Sequence, residues 1–385
     1  MNELDILRNK IDKIDRELLT LFLERMDVCG NVAEYKRSVG MAVLDTKREK
    51  RILEEKVKLT KNKADSAEVY DFFSAIMAIS RDRQTRMLNR CEIPIYDKLK
   101  MTKPVANPTV AFFGNEGSYS EDGAIKFFGE DANRIEIKTF ENVFEMIKNN
   151  NADYGVLPIE NSSTGTILEV IDLLARYNFY IVGEVAIPIR HCLLGIKGSS
   201  INQIKTIYSH EQGILQSREF IKNLGDVKCE AYYSTAMSAK LVKDLGDTTK
   251  AAIAGIRNAE ICGLEVLAKN INNNSQNTTK FVIVSKNAEI SSEADKISCA
   301  FTIPHESGEL QRVLSCFARG KRNLLKLESR PSGEKNFEYR FFVDFLGNLL
   351  DEGVKGVINN VIQETQDFKL LGNYKSFKTE ENLGE

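Results

Sequence analysis

The apolar residues of the first ninety positions follow a helical pattern. They recur at alternating spacings of three and four, which is typical of a long helix that packs like a coiled coil. One charged residue interrupts this seam, whose members are Leu4, Leu7, Ile11, Ile14, Leu18, Leu21, Arg25, Val28, Val32, Tyr35 and Val39. Gly40 is expected to end the helix. At 1.5 Å per residue its length would be about 55 Å.

Two shorter helices are predicted near residues 45–60 and 66–90, where the sequence contains no proline. They are too short to cover the whole seam of the first helix. We therefore expect a second copy of the chain to cover the remainder, so that the protein is a homodimer or a higher homo-oligomer.

The pattern changes after residue 90. Residues 91–108 contain three prolines and are predicted to form a linker. From 109 to 286, apolar strands alternate with helices, which indicates α/β layering with ligands near strand ends. Residues 297–375 follow the order strand, helix, two strands, helix, strand, which is the α+β ferredoxin-like order. The predicted fold class is therefore multidomain: an all-α bundle, an α/β domain and an α+β domain.

Composition excludes several classes of protein. A formal net charge of −2 is too balanced for a protein that coats nucleic acid or an anionic membrane. The seven cysteines are scattered and the histidines number only three, which argues against a disulfide framework, a zinc site or another metal centre. Neither an apolar leader nor an uninterrupted apolar span is present. We expect a cytoplasmic protein without metal or cofactor.

Polar residues at apolar positions mark a candidate site in the helical region. A charge at the seam position of Arg25 is unfavourable unless an anion meets it. Ser80 and Gln84 place polar groups on the apolar face of the third helix. Such a set suits binding of a small dicarboxylate and stabilisation of charge on an oxygen. A solvated arginine and ordinary helix–helix hydrogen bonds are the alternatives. The other cations that the bundle could bring together are Arg8, Lys36 and Arg48.

Residues 1–90 resemble the all-helical chorismate mutases, through LRNKIDKIDRELLTLFLERMDV, Lys36, LDTKREKRIL and AISRDRQ. The resemblance implies that Lys36 and Gln84 are catalytic donors to the ether oxygen of chorismate. It also implies a substrate-binding shell of Arg8 from the partner chain, Arg25, Asp45, Arg48, Glu49 and Ser80. A Claisen rearrangement is unimolecular, so a protein accelerates it by holding the reactive conformer and stabilising charge on the breaking bond.

Two glycine-rich segments stand out in the α/β region. GNEGSYSEDGA (114–124) follows a strand and opens a helix, so its N–H groups and hydroxyls can hold an anion. A tight turn with a serine cap explains the same pattern. PIENSSTGT (158–166) is unusually polar for a connection after an apolar strand. Neither segment is a Walker A loop, because no Gly-Lys-Ser/Thr follows.

Six separated motifs resemble the prephenate dehydratases over residues 105–286. They are GNEGSYSEDGA, VLPIENSSTGTI, HCLL, YSHEQG, YYSTAMSA and QNTTKF, in that family's order. The resemblance implies a two-lobed, periplasmic-binding-protein-like fold whose cleft converts prephenate to phenylpyruvate. Thr279 would be the catalytic hydroxyl. The implied substrate-binding residues are Ser118, Tyr119, Glu160, Asn161, Ser162, Ser209, His210, Gln212, Gln216, Lys280 and Phe281.

One position departs from the dehydratase pattern. Lys280 stands where the family has arginine, which keeps the charge but loses the planar fork, so looser carboxylate binding is expected. The departing hydroxide needs a proton donor. Thr279 and His210 both remain candidates for that role, whereas His191 and His305 are expected to be structural.

Residues 297–375 resemble the ACT regulatory domains of prephenate dehydratases. LESRP (327–331) matches a family motif in full, while the Gly-Ala-Leu-Val motif reads Gly308-Glu309-Leu310-Gln311. The resemblance implies that phenylalanine binds between two such domains, near Gly308, Glu309, Leu310, Asn323, Glu328 and Ser329. Gln311 replaces an apolar valine, which is expected to weaken or redirect the ligand. A dimerisation module that has lost its sensor is the alternative.

These resemblances predict a bifunctional enzyme of phenylalanine biosynthesis. Its chorismate mutase would be an isomerase that makes prephenate, and its prephenate dehydratase would be a lyase that makes phenylpyruvate. L-Phenylalanine would inhibit it allosterically, and neither nucleic acid nor a membrane would be a partner. The alternatives are a monofunctional dehydratase with an idle helical domain and a non-catalytic amino-acid sensor.

Overall fold

A computed structural model describes residues 2–41, 43–60, 62, 65–88, 102–306, 308–331 and 339–377. The helical region consists of α1 (Glu3–Ser38), α2 (Thr46–Lys58) and α3 (Asp65–Leu88), close to the predicted bounds. The predicted linker of residues 91–108 lies outside the described residues up to position 101. Its remainder, residues 102–108, is neither helix nor strand.

Local sequence sets both ends of α1. The Asn2 side chain accepts from the Asp5 N–H at 2.8 Å, and the Asp5 carboxylate accepts from the Asn2 N–H at 3.2 Å. This reciprocal capping box satisfies N–H groups that have no partner within the helix. The helix ends at Ser38, two residues before Gly40, whose φ of 68° is the left-handed conformation that favours glycine.

The apolar seam of α1 is exposed in the single chain. Only Met26, Gly30 and Ala33 of this helix are buried, and they lie in its C-terminal half, where α1 packs against α3. The exposed fraction of the apolar seam residues ranges from 41% at Val32 to 65% at Tyr35. A continuous apolar stripe of this length marks an interaction surface. It fits the expectation that a second copy covers α1.

The α/β region has two lobes. The strands and helices of the first lobe are β1 (Thr109–Phe113), α4 (Tyr119–Phe128), β2 (Asn133–Ile137), α5 (Phe140–Lys148), β3 (Tyr154–Asn161), β4 (Gly165–Thr166), α6 (Leu168–Tyr177), β5 (Tyr180–Pro188) and β11 (Thr278–Ser285). Its sheet order is β5-β11-β3-β1-β2, with β4 paired to β3. β11 lies between β3 and β5 and is antiparallel to both. The chain therefore returns from the second lobe to the middle of the first sheet.

The second lobe is a smaller α/β layer. It comprises β6 (His191–Gly195), β7 (Thr206–Ser209), α7 (Glu211–Gln216), α8 (Arg218–Asn223), β8 (Lys228–Ala231), α9 (Thr235–Leu245), β9 (Lys250–Gly255), α10 (Arg257–Cys262) and β10 (Glu265–Ala268), with one 3-10 turn at Ile201–Gln203. The strand order is β10-β6-β9-β7-β8. Two chain crossings, β5 to β6 and β10 to β11, connect the lobes. The two-lobed arrangement predicted from the sequence is observed.

The C-terminal region has the predicted order of elements. They are β12 (Lys296–Ile303), α11 (Glu309–Arg319), β13 (Leu324–Pro331), β14 (Tyr339–Leu346), α12 (Glu352–Glu364) and β15 (Gln366–Tyr374), with the antiparallel order β13-β14-β12-β15. Both helices lie on one face, where Phe301, Phe317 and Phe345 form the centre of the core. The strand arrangement is ferredoxin-like.

This C-terminal sheet is continuous with the first lobe, which the sequence pattern did not reveal. β15 pairs with β5 at Gly372 and Ile181, completing one sheet of ten strands. A Cβ at position 372 would lie 2.1 Å from the Ile181 carbonyl oxygen, so glycine permits the approach. The buried Lys296 ammonium lies 2.8 Å from Glu184 and 3.1 Å from Asp344, which adds an ionic connection across this junction.

We expect the wild-type chain to sediment as a dimer or larger, and an Ile14→Glu variant to dissociate towards monomer at micromolar concentration. A carboxylate buried in an apolar interface costs several kcal/mol unless it is paired. Lys13→Glu changes the charge at a neighbouring exposed position outside the seam and serves as the control. Analytical ultracentrifugation distinguishes these cases. A wild-type monomer with full activity would contradict the expectation.

Candidate active sites

The helical region brings together part of the predicted mutase shell. Arg25, at its seam position, donates a hydrogen bond to the hydroxyl of Ser80, a residue that is 4% exposed. Gln84 lies one turn further along α3 and is 7% exposed, and its Oε1 has no hydrogen-bond partner among the described residues. A buried amide atom of this kind is costly unless it meets a ligand. The three side chains thus form a polar patch in an otherwise apolar bundle.

Other predicted mutase residues take part in local structure. Lys36 donates to the Val43 carbonyl at 2.5 Å, across the turn between α1 and α2. The Asp45 carboxylate accepts from the Arg48 backbone N–H at 2.9 Å and caps α2, so both residues are exposed at the start of that helix. Arg8 is exposed and lies 17 residues from Arg25, which is about 25 Å along a helix. It is therefore far from the Arg25 patch of its own chain.

Arg81 is a buried cation that the sequence reasoning missed. It is 8% exposed, donates to Glu49 at 2.5 Å and lies 2.7 Å from Glu364 on α12. It follows Ser80 directly, about 100° further round α3, so neighbouring faces of one helical turn carry the polar patch and this ion pair. Asn360 of α12 also bonds Asp82. The helical region is thereby attached to the C-terminal region through α3.

A cavity of about 840 Å³ lies between the two lobes of the α/β region. It takes residues from the ends of β1, β3 and β11 and from the start of α7, in line with the expectation that ligands lie near strand ends. Eight of the predicted dehydratase residues line it: Ser118, Tyr119, Asn161, His210, Gln212, Gln216, Thr279 and Phe281.

The first glycine-rich motif joins the lobes as well as lining the cavity. Ser118 caps α4 by accepting from the Glu121 N–H at 3.4 Å. Gly117 has a φ of 81°, and a Cβ there would lie 2.4 Å from the Asn258 Oδ1 of the second lobe. Asn258 donates to the Gly117 carbonyl at 2.8 Å. Arg257, next to it, pairs with the carboxylates of Glu121 and Asp122 at 3.2 and 2.5 Å.

The pairing of β3 with β11 sets the orientation of the Thr279 hydroxyl. Thr279 lies opposite Asn161, whose Nδ2 donates to the Thr279 Oγ1 at 2.8 Å. The Asn161 Oδ1 accepts from the N–H groups of Ser163 and Thr164 at 2.9 and 3.1 Å, which fixes the direction of the amide. Because the Thr279 oxygen is an acceptor in this bond, its own hydrogen is free to point into the cavity.

Four predicted dehydratase residues do not line this cavity. Side chains alternate along a strand, so Glu160 and Lys280 face the opposite side of the sheet from Asn161 and Thr279. There they lie 3.6 Å apart, against the C-terminal region. The expectation that Lys280 grips a substrate carboxylate is therefore not met by this geometry.

The other two exceptions are serines with structural partners. The Ser162 hydroxyl accepts from the Thr278 N–H at 3.0 Å and supports the start of β11. The Ser209 hydroxyl is fully buried and donates to the Ile253 carbonyl at 2.8 Å.

His191 was expected to be structural, but it contacts two residues that line the cavity. Its Nδ1 is 3.1 Å from the Tyr119 hydroxyl, and its Nε2 is 3.0 Å from the Gln216 Oε1. His191 is 2% exposed, and burial lowers its pKa. The HCLL motif was the available signal, because it places a histidine at the start of a strand next to the lobe crossing. His210 caps α7, with its Nδ1 accepting from the Gln212 N–H at 3.3 Å.

The residues predicted to bind phenylalanine fall into two groups. Gly308, Leu310 and Gln311 line an apolar cavity of about 680 Å³ beside α11, together with His305 and Tyr339. Glu309 does not line this cavity and pairs with Arg312 at 2.9 Å. The second group, Asn323, Glu328 and Ser329, lies in or just before the edge strand β13 and does not line that cavity.

The described residues contain no cluster of three or more metal-ligating side chains. Six cysteines fall within the described ranges, and all six are free thiols. Within those same ranges, no helix combines the length and the apolar character needed to cross a membrane.

Comparisons with known proteins assign a family to the helical region and to the two-lobed region. The model of the chorismate mutase type II family matches residues 7–85, and that of the prephenate dehydratase family matches residues 110–289. A bifunctional chorismate mutase/prephenate dehydratase of Buchnera aphidicola from Acyrthosiphon pisum is 33% identical, over 98% of this chain and 97% of its own. The fold and sites define a helical mutase unit joined to a two-lobed dehydratase. The chain belongs to the bifunctional chorismate mutase/prephenate dehydratase family.

Two solved structures are similar over 70% of this chain. A prephenate dehydratase of Arthrobacter aurescens in complex with L-Phe is 28% identical, with a TM-score of 0.64 and 90% of that chain covered. A protein described as a novel type of quorum-quenching acylase is 26% identical, with a TM-score of 0.65 and 98% of that chain covered. One fold therefore carries differently described activities, so the side chains of the cleft must decide the function.

Proposed function

We propose that this chain converts chorismate to prephenate in its helical region and prephenate to phenylpyruvate in the cleft between its lobes. The observation that carries the second activity is the bond from Asn161 to Thr279. It leaves a hydroxyl hydrogen pointing into a cavity that is lined by hydrogen-bonding groups. The free thiols and the family membership support a cytoplasmic location.

The dehydration needs a hydrogen-bond donor at the hydroxyl group that leaves the substrate ring. When the bond from the ring to the carboxylate breaks, its electron pair enters the ring as CO2 leaves, and the ring expels hydroxide. A hydrogen bond from the Thr279 hydroxyl stabilises the charge on that departing oxygen. His210, at the N-terminus of α7, offers its Nε2 as a second donor. No nucleophile is required, because the substrate supplies the electrons.

The rearrangement needs binding and charge stabilisation only. Arg25 with Ser80 is the proposed carboxylate contact, and the Gln84 NH2 group with the Lys36 ammonium is the proposed donor set for the breaking ether. Because Arg8 lies far from Arg25 along its own helix, the partner chain is the proposed source of the second carboxylate arginine. Substrate-binding roles for Asp45, Arg48 and Glu49 are proposed from the resemblance to the chorismate mutases.

Reciprocal loss of the two activities tests the assignment. Arg25→Ala should lower chorismate turnover by about 10²–10³ and leave dehydration of added prephenate nearly unchanged. Thr279→Ala should do the reverse, and Thr279→Ser should retain measurable dehydratase activity because it keeps the hydroxyl. Loss of chorismate absorbance and appearance of phenylpyruvate are the readouts.

Matched controls separate these losses from misfolding. Thr278→Ala removes a hydroxyl at the adjacent position, whose side chain faces away from the cleft, and Arg37→Ala removes an exposed cation of α1. If both activities fall together in either site variant, the two sites are not independent. If the wild type turns over neither substrate, the sensor alternative stands.

We also propose that L-phenylalanine inhibits the dehydratase through an ACT domain at residues 297–375. The apolar cavity beside α11 is the proposed ring site, and a second copy would bring the β13 residues to it. Alternate residues of β13 contact the first lobe: Lys326 is 3.8 Å from Glu160, Glu328 accepts from Thr166 at 3.3 Å, and Arg330 is 2.6 Å from Asp172. Glu160 precedes Asn161 on β3. The β13 residues Lys326, Glu328 and Arg330, with their partners in the first lobe, are the proposed route from the phenylalanine site to the cleft.

In the full-length protein, Lys326→Met should reduce phenylalanine inhibition of the dehydratase at least fivefold, within the usual size of such couplings, about 5–150-fold. Phenylalanine binding by calorimetry should persist, because the substitution lies outside the proposed ring site. Lys222→Met, on an exposed helix of the second lobe, is the control.

Unchanged inhibition in Lys326→Met would refute the proposed route. Absence of phenylalanine binding by the wild type would instead place the fault in the phenylalanine site itself. If the wild type gives no heat at millimolar phenylalanine and Gln311→Val restores both binding and inhibition, then Gln311 prevents phenylalanine binding in the apolar cavity.

A further inference from the structure

His191 connects the two lobes through a single imidazole. It begins β6 of the second lobe, whereas Tyr119 belongs to α4 of the first lobe and Gln216 to α7 of the second. One ring nitrogen bonds each neighbour, at 3.1 and 3.0 Å. The His191 backbone is also fixed, because its N–H donates to Asn272 at 2.6 Å and its carbonyl accepts from Ile271 at 3.0 Å. The ring therefore has little freedom to move.

The partners determine which nitrogen carries the hydrogen. A carbonyl oxygen can only accept, so the Nε2 that faces the Gln216 Oε1 is the protonated nitrogen. Burial lowers the pKa of His191, which keeps the ring neutral, with one hydrogen. The Nδ1 is then an acceptor, and the Tyr119 hydroxyl must donate to it.

We propose that His191 is a positioning residue that sets the hydrogen-bond polarity of the dehydratase cleft, making Tyr119 an acceptor and Gln216 a donor towards the substrate. With its hydrogen committed to His191, the Tyr119 hydroxyl presents only oxygen lone pairs to the cavity. With its carbonyl committed to His191, the Gln216 side chain presents its NH2 group. An acceptor on one lobe and a donor on the other suit a ligand that carries a hydroxyl and carboxylates, as prephenate does.

The proposal rests on the proposed dehydratase function of this cleft, but its hydrogen bonds can be tested without activity. The chain has three histidines, so long-range proton–nitrogen spectra of the imidazoles can be assigned by the loss of one set in a His191→Phe variant. We expect a neutral ring protonated at Nε2 at pH 6.5. A charged ring, or a neutral ring protonated at Nδ1, would overturn the proposal.

Kinetics on prephenate test the positioning role. His191→Phe keeps an aromatic ring but loses both hydrogen bonds. It should lower dehydratase kcat/KM by about 10², the scale expected when a site group is misplaced by about 1 Å. His191→Asn, which can still reach Tyr119, should be affected less. Chorismate turnover by the same variants should be unchanged, which separates misplacement in the cleft from a general loss of folding.

A double variant shows whether His191 acts through Tyr119. In a Tyr119→Phe background, the further loss caused by His191→Phe should be at least threefold smaller than in the wild type, since one of its two contacts is already gone. Tyr154→Phe, which removes a buried phenol bonded to Glu289 at 2.6 Å outside the cleft, is the matched control background. Full multiplicative losses in the Tyr119→Phe background would refute the proposal. A wild type that does not dehydrate prephenate would refute the proposed function and leave the nitrogen spectra as the test of the tautomer.

Discussion

The antiparallel pairing of β3 with β11 is the constraint on which the dehydratase region depends. It inserts the returning strand in the middle of the first-lobe sheet and sets Thr279 opposite Asn161. Because side chains alternate on a strand, the same register sends the neighbours Glu160 and Lys280 to the other face. A shift by one residue would exchange the two pairs. The orientation of the Thr279 hydroxyl and the contact with the C-terminal region therefore have a common origin.

The arrangement also supplies the contacts on which the proposed route from the C-terminal region to the cleft rests. The C-terminal strands extend the same sheet through Gly372 and Ile181, and β13 contacts Glu160 through Lys326. A change in the position of β13 would bear on the face of β3 that lies behind the Asn161 side chain. A ligand can shift an equilibrium only by binding one arrangement better than another. The helical region is tied to the same C-terminal region by Arg81 and Glu364.

Sequence patterns predicted the elements well and the contacts between them less well. The period of the α1 seam and the alternation of strands and helices are local, so they follow from residue order. The continuation of the sheet from β5 to β15 is a long-range pairing with no periodic signal of its own. The motif predicts that Lys280 faces the cleft, but a motif does not say which face of the strand a side chain takes. The sequence alone predicts only a structural role for His191, because its two partners, Tyr119 and Gln216, are distant in the sequence.

The central claim is that the Asn161 amide donates to Thr279 and so frees the threonine hydrogen for the substrate. Steady-state dehydration of prephenate by an Asn161→Asp variant tests this most directly. Aspartate can still accept from the N–H groups of Ser163 and Thr164, but its second oxygen can only accept, so it would draw the Thr279 hydrogen away from the cleft. We predict a loss of about 10²–10³ in kcat with unchanged chorismate turnover, while the exposed Asn133→Asp has no effect. Near wild-type dehydration by a folded Asn161→Asp protein would contradict the account.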